Sequence, residues 1–547
     1  MQLLSVIIVA SLLFPSCGKT HNTPLPKPPT VVQESVLPEG WYNHNQKELT
    51  QELDYYFQTA QQSFAIPADI RPTALIVPHA GYYYSGLCAA TAYQALFDKN
   101  EAGKSPEKNT AIKRVIILSP AHKVFLNGVA VPVYTEYKTV FGTVPVDHQA
   151  MHTIKKDKRF QVMPEAHAHE HAIEMQLPFL QKTIADFTIV PLIVGHVNKN
   201  DLYQVATTLK EIIDPTTLVV VSSDFVHYGP DFSYTIFDSH LSDCVRRLDS
   251  LALRPIASHS VAGFCEALKK TGATVCGQEP IKVLLALQEL GALPPLQVAL
   301  TGYYTSAQMQ LAREHSLIDT AKLYQDVPDK AAQSSVSYLG IALTPVATNA
   351  PLYARLTGYE KQSLLHFARH ILENHFAPDD TKKEAVLLYP MLTPLLEAPL
   401  GTFVTLHTKD GQLRGCIGRV LAEEPLYFTI AQMAKAAAFA DNRFSPLTEK
   451  ELANVVIEIS LLSRPQKIAT VQDIVLGKHG IILYKYDKQN NVIGSSLFLP
   501  QVPLGQRWNL ETTLEQLSLK AGFARDTWKE DCTFEVFEGI EFSEDKV

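Results

Sequence analysis

The sequence has few cysteines and no excess of basic residues. Seven cysteines in 547 residues are too sparse for a disulfide-based scaffold, and an odd number leaves at least one of them unpaired in a monomer. The formal net charge is −8, so the chain lacks the basic surplus that binding along phosphate backbones requires. We therefore expect neither a small disulfide-rich fold nor a nucleic-acid-binding protein.

Long apolar runs and internal repeats are also missing. Beyond the N-terminal region no segment has about 18 consecutive apolar residues, so nothing there predicts a membrane-spanning helix. The absence of repeats argues against a duplicated or repeat architecture. With 46% hydrophobic residues, a chain of this length instead predicts three to four domains, or two large ones, with sizeable cores.

The first 36 residues predict a targeting segment. Residues 3–14 form a short apolar run, and Cys17 follows a small residue soon after it, which is similar to the lipobox of a bacterial signal peptide. The proline-rich stretch 18–36 is typical of an extended tether. We predict a signal peptide over 1–17, lipidation at Cys17, and a cell-envelope protein whose membrane contact is this lipid anchor. A cytoplasmic protein with an apolar N-terminus is the alternative.

Two stretches with different patterns follow the tether. Over 37–345, short β-branched runs alternate with longer helical patterns, which predicts an α/β domain around a mostly buried sheet. Over 357–542, an amphipathic helix, a hairpin turned at residues 410–411 and further strands predict an α+β domain. The small and proline residues within 346–356 are typical of a linker.

Three predicted strands of the first domain end in residues that can bind a metal. His79, His122 and the pair Asp224 and His227 each follow a β-branched run. One histidine after a strand has no special meaning, but neighbouring parallel strands bring their carboxyl ends together at one edge of a sheet. Imidazoles gathered there without cationic partners are best explained by a bound metal ion.

Two further segments offer ligands or acid–base groups to this edge. His171 and Glu174 lie one turn apart at a predicted helix start and would face one cleft, whereas His167 and His169 fit a solvated helix start better. Cys276 precedes a predicted helix, whose dipole would favour its thiolate. A thiolate beside two histidines suits iron, copper or zinc rather than magnesium.

The motifs of the first domain resemble those of the Memo family in order and spacing. Lys123 departs from the family pattern, in which a second histidine is common, and places a cation near the pocket mouth. The motifs that carry the resemblance are Gly40-Trp-Tyr42, Pro78-His-Ala-Gly-Tyr82, Leu118-Ser-Pro-Ala-His122, Glu170-His-Ala-Ile-Glu-Met175, the segment 222–229, Cys276-Gly-x-x-Pro280 and Ser335-Val-Ser-Tyr338.

The resemblance implies an α/β sandwich like that of the class III extradiol dioxygenases, with His79, His122 and Cys276 as ligands of one transition-metal ion. Iron is favoured, and copper or zinc stays open. An enzyme of this kind would be a dioxygenase-like oxidoreductase for an unknown small molecule or modified macromolecule. Its acid–base group would be His227, oriented by Asp224. A non-catalytic metal-binding or scaffold lipoprotein is the alternative.

The second domain contains a motif with a guanidinium, two glycines and a thiol. Arg414 could clamp a carboxylate or phosphate, Gly415 lets the backbone approach a ligand, and Cys416 could act as a nucleophile. A tight turn with a small buried cysteine is the alternative. Together with segments 441–446, 496–503 and 520–528, the motif resembles the AMMECR family, which implies a two-lobed α+β fold but no reaction.

A chain that joins the two families resembles the bacterial AmmeMemoRadiSam set. The Cys-x₃-Cys-x₂-Cys spacing of a radical-SAM cluster is absent from the sequence, so a radical-SAM partner would be a separate protein. Radical-SAM chemistry is cytoplasmic, which conflicts with the export that the N-terminus predicts.

Overall fold

A computed structural model describes residues 29–67, 70–98, 106–315, 317–346, 352–379, 382–383, 390–391 and 393–545. The expected signal peptide, Cys17 and most of the tether lie outside these ranges, so lipidation and envelope location stay predictions. Among the helices in the described ranges, none combines the length and the apolar character needed to cross a bilayer.

The first domain is built on a mixed sheet of nine strands, flanked by helices and accompanied by two small sheets. The strands up to residue 345 are β1 (Val32–Gln33), β2 (Ala74–Val77), β3 (Arg114–Pro120), β4 (Val129–Val131), β5 (Glu136–Thr139), β6 (Gly142–Pro145), β7 (Phe160–Val162), β8 (Thr188–Val194), β9 (Thr217–Ser222), β10 (His227–Tyr228), β11 (Leu296–Thr305), β12 (Arg313–Glu314), β13 (Leu317–Ile318) and β14 (Ser335–Pro345).

The helices of this domain cover both faces of the sheet, as its buried strands require. They are α1 (Gln46–Ser63), α2 (Tyr82–Tyr93), α3 (His148–Ile154), α4 (Pro164–His167), α5 (His171–Glu174), α6 (Leu177–Thr183), α7 (Lys199–Lys210), α8 (Leu241–Ala257), α9 (Val261–Thr271), α10 (Gln278–Glu289), α11 (Ser306–Ala312) and α12 (Asp329–Ala332).

The large sheet has the order β10-β14-β2-β9-β3-β8-β4-β7. The remaining strand, β11, pairs with β14 along the edge opposite β2. The run β2-β9-β3-β8 is parallel, and nearly every residue in it is buried. These four strands, β2, β9, β3 and β8, contain the β-branched runs that predicted a buried sheet. Because β9 lies between β2 and β3, the chain segments that leave all three strands meet at one edge of the sheet.

The second domain has two four-stranded antiparallel sheets, which makes it two-lobed as expected. The first has the order β16-β15-β17-β22 and the second β18-β21-β19-β20. The elements are α13 (Gly358–Phe376), α14 (Pro394–Glu397), β15 (Gly401–Thr408), β16 (Leu413–Arg419), α15 (Leu426–Phe439), α16 (Glu449–Leu452), β17 (Val455–Leu462), β18 (Gln466–Lys467), β19 (Gly480–Tyr486), β20 (Val492–Phe498), α17 (Gln501–Gly505), α18 (Leu510–Lys520), β21 (Cys532–Phe537) and β22 (Gly539–Ser543).

The two domains are joined by a buried contact at the start of α13. Tyr359 packs into the hydrophobic core of the first domain. Thr357 caps α13 and donates its hydroxyl hydrogen to the carbonyl oxygen of Leu300 on β11, 2.6 Å away. The second domain is therefore anchored on the sheet that carries the strand-end histidines.

An ion network extends this contact. Arg246 on α8 and Lys383 of the second domain each bind both Asp243 and Asp326; for example, Arg246 Nη1 lies 3.1 Å from Asp326, and Lys383 Nζ lies 2.7 Å from Asp243. Burial alone would raise the pKa of Asp326, but the two cations outweigh burial and hold that pKa well below its usual range. Asp326 is therefore expected to be ionised at neutral pH.

We expect Asp326→Asn to lower the free energy of unfolding by about 3 kcal/mol at pH 7, because it leaves two mostly buried cations with one carboxylate. A carboxyl group with a depressed pKa stabilises the folded state above its unfolded pKa of about 4 and loses this effect as the pH falls. The difference between wild type and variant, measured by urea unfolding, should therefore shrink below that pH. Asp379→Asn is the control, since Asp379 is 97% exposed and pairs only with Lys382; an equal loss there would contradict the network.

Candidate metal centre

Two histidines and a cysteine converge at the edge where β2, β9 and β3 end. One ligand atom from each of His79, His122 and Cys276 lies within 4.8 Å of the other two. His79 Nε2 is 3.2 Å from Cys276 Sγ, and the two imidazole centroids are 5.1 Å apart. The gathering expected from the strand ends is thus present in the structure.

A buried serine determines which ring nitrogen of His79 faces the centre. The Ser222 hydroxyl donates its only hydrogen to the carbonyl oxygen of Ala172, 2.8 Å away, and accepts a hydrogen bond from Gln176 Nε2 at 2.9 Å. Toward His79 Nδ1, also 2.9 Å away, it acts as an acceptor, so Nδ1 carries the hydrogen. The lone pair of Nε2 is then directed at Cys276.

A buried glutamate, Glu170, determines which ring nitrogen of His122 faces the centre. Glu170 Oε1 accepts from His122 Nδ1 at 2.9 Å, and Oε2 accepts from the His122 main-chain N–H at 2.9 Å. Burial raises the pKa of Glu170, but its contacts with His122 outweigh burial and bring this pKa to about 2. An ionised Glu170 accepts only, so His122 also presents Nε2 as a lone pair.

Cys276 is held in place by a close backbone approach. A Cβ on the next residue, Gly277, would lie 2.2 Å from the Ser223 side chain, so only glycine fits this turn. The main-chain N–H of Asp224 donates to Cys276 Sγ at 3.2 Å. The expectation that the helix dipole favours the thiolate is wrong for the protein alone, since burial and then the charge of Asp224 raise the pKa of the thiol well above its usual value.

Asp224 and His227 flank the three donors. Asp224 Oδ2 is 4.0 Å from His79 Nε2, and Oδ1 accepts the main-chain N–H of His79. His227 is oriented by carbonyl oxygens and not by Asp224, because Nδ1 lies 2.8 Å from that of Phe225 and 3.0 Å from that of Thr274. Nδ1 is therefore the donor, and His227 Nε2 is left as an acceptor.

His171 belongs to the centre and Glu174 does not. The His171 ring stacks on His122 with centroids 4.8 Å apart, its other face meets Trp41 at 4.5 Å, and Nδ1 lies 3.3 Å from Glu170. Burial lowers the pKa of His171 to about 3, so the ring is neutral at pH 7. Glu174 instead accepts hydrogen bonds from Tyr42, Ser35 and the Val36 main chain, and it fastens the N-terminal segment.

Three residues close in sequence to the ligands of the centre, His167, His169 and Lys123, do not contribute to it. His167 is buried and not solvated as expected, and it bridges the Tyr137 hydroxyl and the carbonyl oxygen of Ala130. His169 and Lys123 are exposed. None of the three supplies an atom to either metal-competent group in the described part of the chain, which are His79–His122–Cys276 and His122–Glu170–His171.

The donor set fits a transition metal. Two imidazole nitrogens with free lone pairs and one thiol sulfur suit iron, copper or zinc, whereas magnesium and calcium prefer oxygen ligands. Partners such as Ser222 and Glu170, which fix the ring orientation of ligating histidines, are typical of metal sites. Sequence reasoning assigned neither of them a role, although both lie within the quoted motifs.

The second-domain motif is arranged differently from the expectation. Arg414 is 9% exposed. Its guanidinium is already paired, because it donates to both carboxylate oxygens of Glu451 and to the Ser445 carbonyl oxygen. A Cβ on Gly415 would lie 2.2 Å from the Ala437 carbonyl oxygen, so this glycine serves packing against α15. Cys416 faces the Thr405 hydroxyl, which donates to Sγ at 3.2 Å. Arg414 is therefore already paired, and a joint pocket with Cys416 stays a prediction.

The fold and the centre define a two-domain protein with an extradiol-dioxygenase-like first domain. A family model described as Memo-like protein matches residues 38–322, and an AMMECR1 model matches 365–542. The chain belongs to the Memo family and carries a C-terminal AMMECR1 domain.

The chain is similar to several proteins with Memo names and to one solved structure. Protein memo-1 homolog of Caenorhabditis elegans is 34% identical over 46% of this chain and 69% of that protein. Protein MEMO1 is 34% identical in Xenopus laevis, over 47% of this chain and 84% of that protein, and 31% identical in Homo sapiens, over 48% and 86%. An uncharacterized protein of Pyrococcus horikoshii with a solved structure is 31% identical over 34% of this chain and 90% of that chain, at a TM-score of 0.30.

We expect Ser222→Ala and Glu170→Gln each to weaken metal binding about 10- to 100-fold, because the imidazoles lose the partners that fix their tautomers. Competition with a chromophoric chelator measures this loss without any assay of activity. Glu174→Gln is the matched control for Glu170, since it changes a buried carboxyl side chain at the other end of the same short helix without touching an imidazole. Unchanged affinity in the first two variants, or an equal loss in the control, would contradict the tautomer argument.

Proposed function

We propose that the first domain is a metal-dependent oxidoreductase that holds one non-haem iron or copper ion through His79, His122 and Cys276. The observation that carries the proposal is the convergence of these three donors from three separate loops, two of them with a fixed tautomer. Of the three, His79 is buried, and a buried imidazole whose Nε2 has no ligand loses hydrogen bonds to water. The proposed ligand set leaves positions open for a substrate or O₂.

The metal would supply Lewis acidity and redox chemistry toward an oxygen-bearing substrate. The surrounding residues would supply proton transfer and positioning. The His227 ring is fixed by two carbonyl oxygens that accept from Nδ1, so its Nε2 is suited to accept a proton from a bound hydroxyl group. Asp224, buried between His79 and the His227 segment, stabilises the positive charge that His227 then acquires.

The wall formed by Trp41 and His171 limits what can enter. The two ring centroids lie 4.5 Å apart, Trp41 carries no charge, and burial lowers the pKa of His171 to about 3, so neither ring is charged at pH 7. A planar, oxidisable small molecule such as a catechol suits a cleft of this kind better than a strongly charged one. A modified macromolecule would have to present such a group at the cleft.

We expect wild-type protein purified anaerobically to contain about one iron or copper per chain, and the double variant His79→Ala/His122→Ala to contain none, because one cysteine cannot hold the ion. Elemental mass spectrometry measures both. His196→Ala is the control, since this histidine has a 66% exposed side chain and belongs to neither metal-competent group of the described residues. Full metal content in the double variant would overturn the proposed ligand set.

We expect His227→Gln to keep its metal and to lose about 10²- to 10⁴-fold in turnover, the usual contribution of a positioned acid–base group. O₂ consumption with a panel of catechols measures turnover, and metal content is determined on the same samples. A metal-loaded wild type without turnover on any oxidisable substrate would favour the alternative, a metal-binding or scaffold protein.

A further inference from the structure

The two sheets of the second domain meet at an apolar cluster, and the junction beside this cluster, which we term the cleft, carries polar groups. On β15, Phe403 belongs to an apolar cluster that includes Ile482 of the other lobe, so this face of the strand is directed at the second sheet. Thr405 lies two residues further along the same face and is paired in register with Cys416 on β16. The Cys416 thiol is therefore next to the junction of the lobes.

The loop after α15 forms hydrogen bonds with the main chain of Cys416 and leaves its thiol group to other contacts. Asp441 Oδ2 accepts the main-chain N–H of Cys416 at 2.9 Å, and Arg443 Nη2 donates to its carbonyl oxygen at 3.1 Å. Arg443 is held by Asp441 through Nε at 2.9 Å and Nη2 at 2.7 Å. Within the described residues Arg443 Nη1 has no partner, and the Arg443 side chain is 55% exposed.

The other lobe brings a second cation to this cleft. Lys520, the last residue of α18, donates to the carbonyl oxygen of Leu497 at 2.8 Å and lies over the Phe498 ring at 4.7 Å from its centroid. Leu497 belongs to the same apolar cluster as Phe403. Burial and then the positive charge of Arg443 lower the pKa of Lys520, while the Cys416 thiolate raises it. Lys520, Arg443 and Cys416 are therefore close enough to interact electrostatically.

We propose that Arg443 and Lys520, one from each lobe, bind an anionic oxygen group of a small molecule, a phosphate or a carboxylate, beside the thiol of Cys416. Among the described residues Lys520 has no carboxylate partner, and Asp441 is already bound by Arg443 and the Cys416 main chain. The other nearby acid, Glu458, lies 3.8 Å from His407. Free N–H groups of two cations facing one cleft are the arrangement that binds phosphate or carboxylate oxygens.

The site differs from the one that the sequence predicted. Arg414 is mostly buried and already donates to Glu451 and to the Ser445 carbonyl oxygen, so the proposed site does not use it. The proposal also does not depend on the metal centre, which lies in the other domain. Loss of metal or of oxidoreductase activity would leave it unaffected.

The test is alkylation of Cys416 by iodoacetamide in the full chain, quantified on the Cys416 peptide by mass spectrometry. Inorganic phosphate should slow this alkylation in wild type relative to sodium chloride of equal ionic strength, because a bound anion covers the thiol and raises its pKa. Sodium acetate is the carboxylate probe and distinguishes the two ligand sources. Cys265, which is exposed and lies in the first domain, is the internal control and should not respond.

Three variants connect the effect to the two cations. Lys520→Met and Arg443→Gln should each raise the half-protecting phosphate concentration about tenfold, which corresponds to about 1.4 kcal/mol. Lys520→Arg keeps the charge and should keep the protection. Lys529→Met is the matched control, because Lys529 also lies over an aromatic ring, that of Trp528 at 5.2 Å, but away from Cys416. Thermal melting of each variant separates lost binding from lost folding.

Three outcomes would overturn the proposal. The first is that neither phosphate nor acetate slows alkylation of Cys416 more than sodium chloride does. The second is that protection persists in both Lys520→Met and Arg443→Gln. The third is that Cys416 does not react at all under conditions that modify Cys265, since a cleft that excludes iodoacetamide would not admit a small anionic molecule either.

Discussion

The parallel pairing of β2, β9 and β3 is the constraint on which the candidate metal centre depends. Val77 pairs with Ser222 across β2 and β9, and Leu118 pairs with Val221 across β9 and β3, so the three strands end at nearly the same height. Parallel strands of this kind are stable only when both faces are covered, and their burial supplies much of the free energy that holds the loops in place. The donors therefore lie on rigid elements, as precise ligand geometry requires.

Burial has opposite consequences for the different groups of the centre. It lowers the pKa of His79 and His171 and raises that of Cys276, so that in the protein alone all three are neutral at pH 7. Glu170 stays ionised because His122 donates to it twice. A cation at this place would find the ionised Glu170 nearby and a thiol whose deprotonation it favours, so metal binding should release a proton.

Much of the fold and part of the centre followed from the sequence, and the failures have one physical cause. The β-branched runs predicted four strands, and the residues after three of them predicted the gathering of His79 and His122. The direction of Glu174 could not be predicted, because it depends on Tyr42 and a serine more than a hundred residues away. The pairing of Arg414 with Glu451 could not be predicted for the same reason, since Glu451 is distant in sequence. Local pattern gives periodicity, whereas tertiary contacts decide which polar partner a side chain finds.

Helix α8 joins the metal centre to the second domain. Asp249 on this helix accepts the main-chain N–H of Val226, next to His227, at 3.1 Å and the Tyr303 hydroxyl at 3.1 Å. Arg246, one turn earlier, belongs to the ion network with Lys383 of the second domain. Burial raises the pKa of Asp249 to about 7, so this carboxyl group has no competing cation and depends on its hydrogen bonds. Because one helix makes both contacts, a displacement of the second domain would also displace the segment that holds His227.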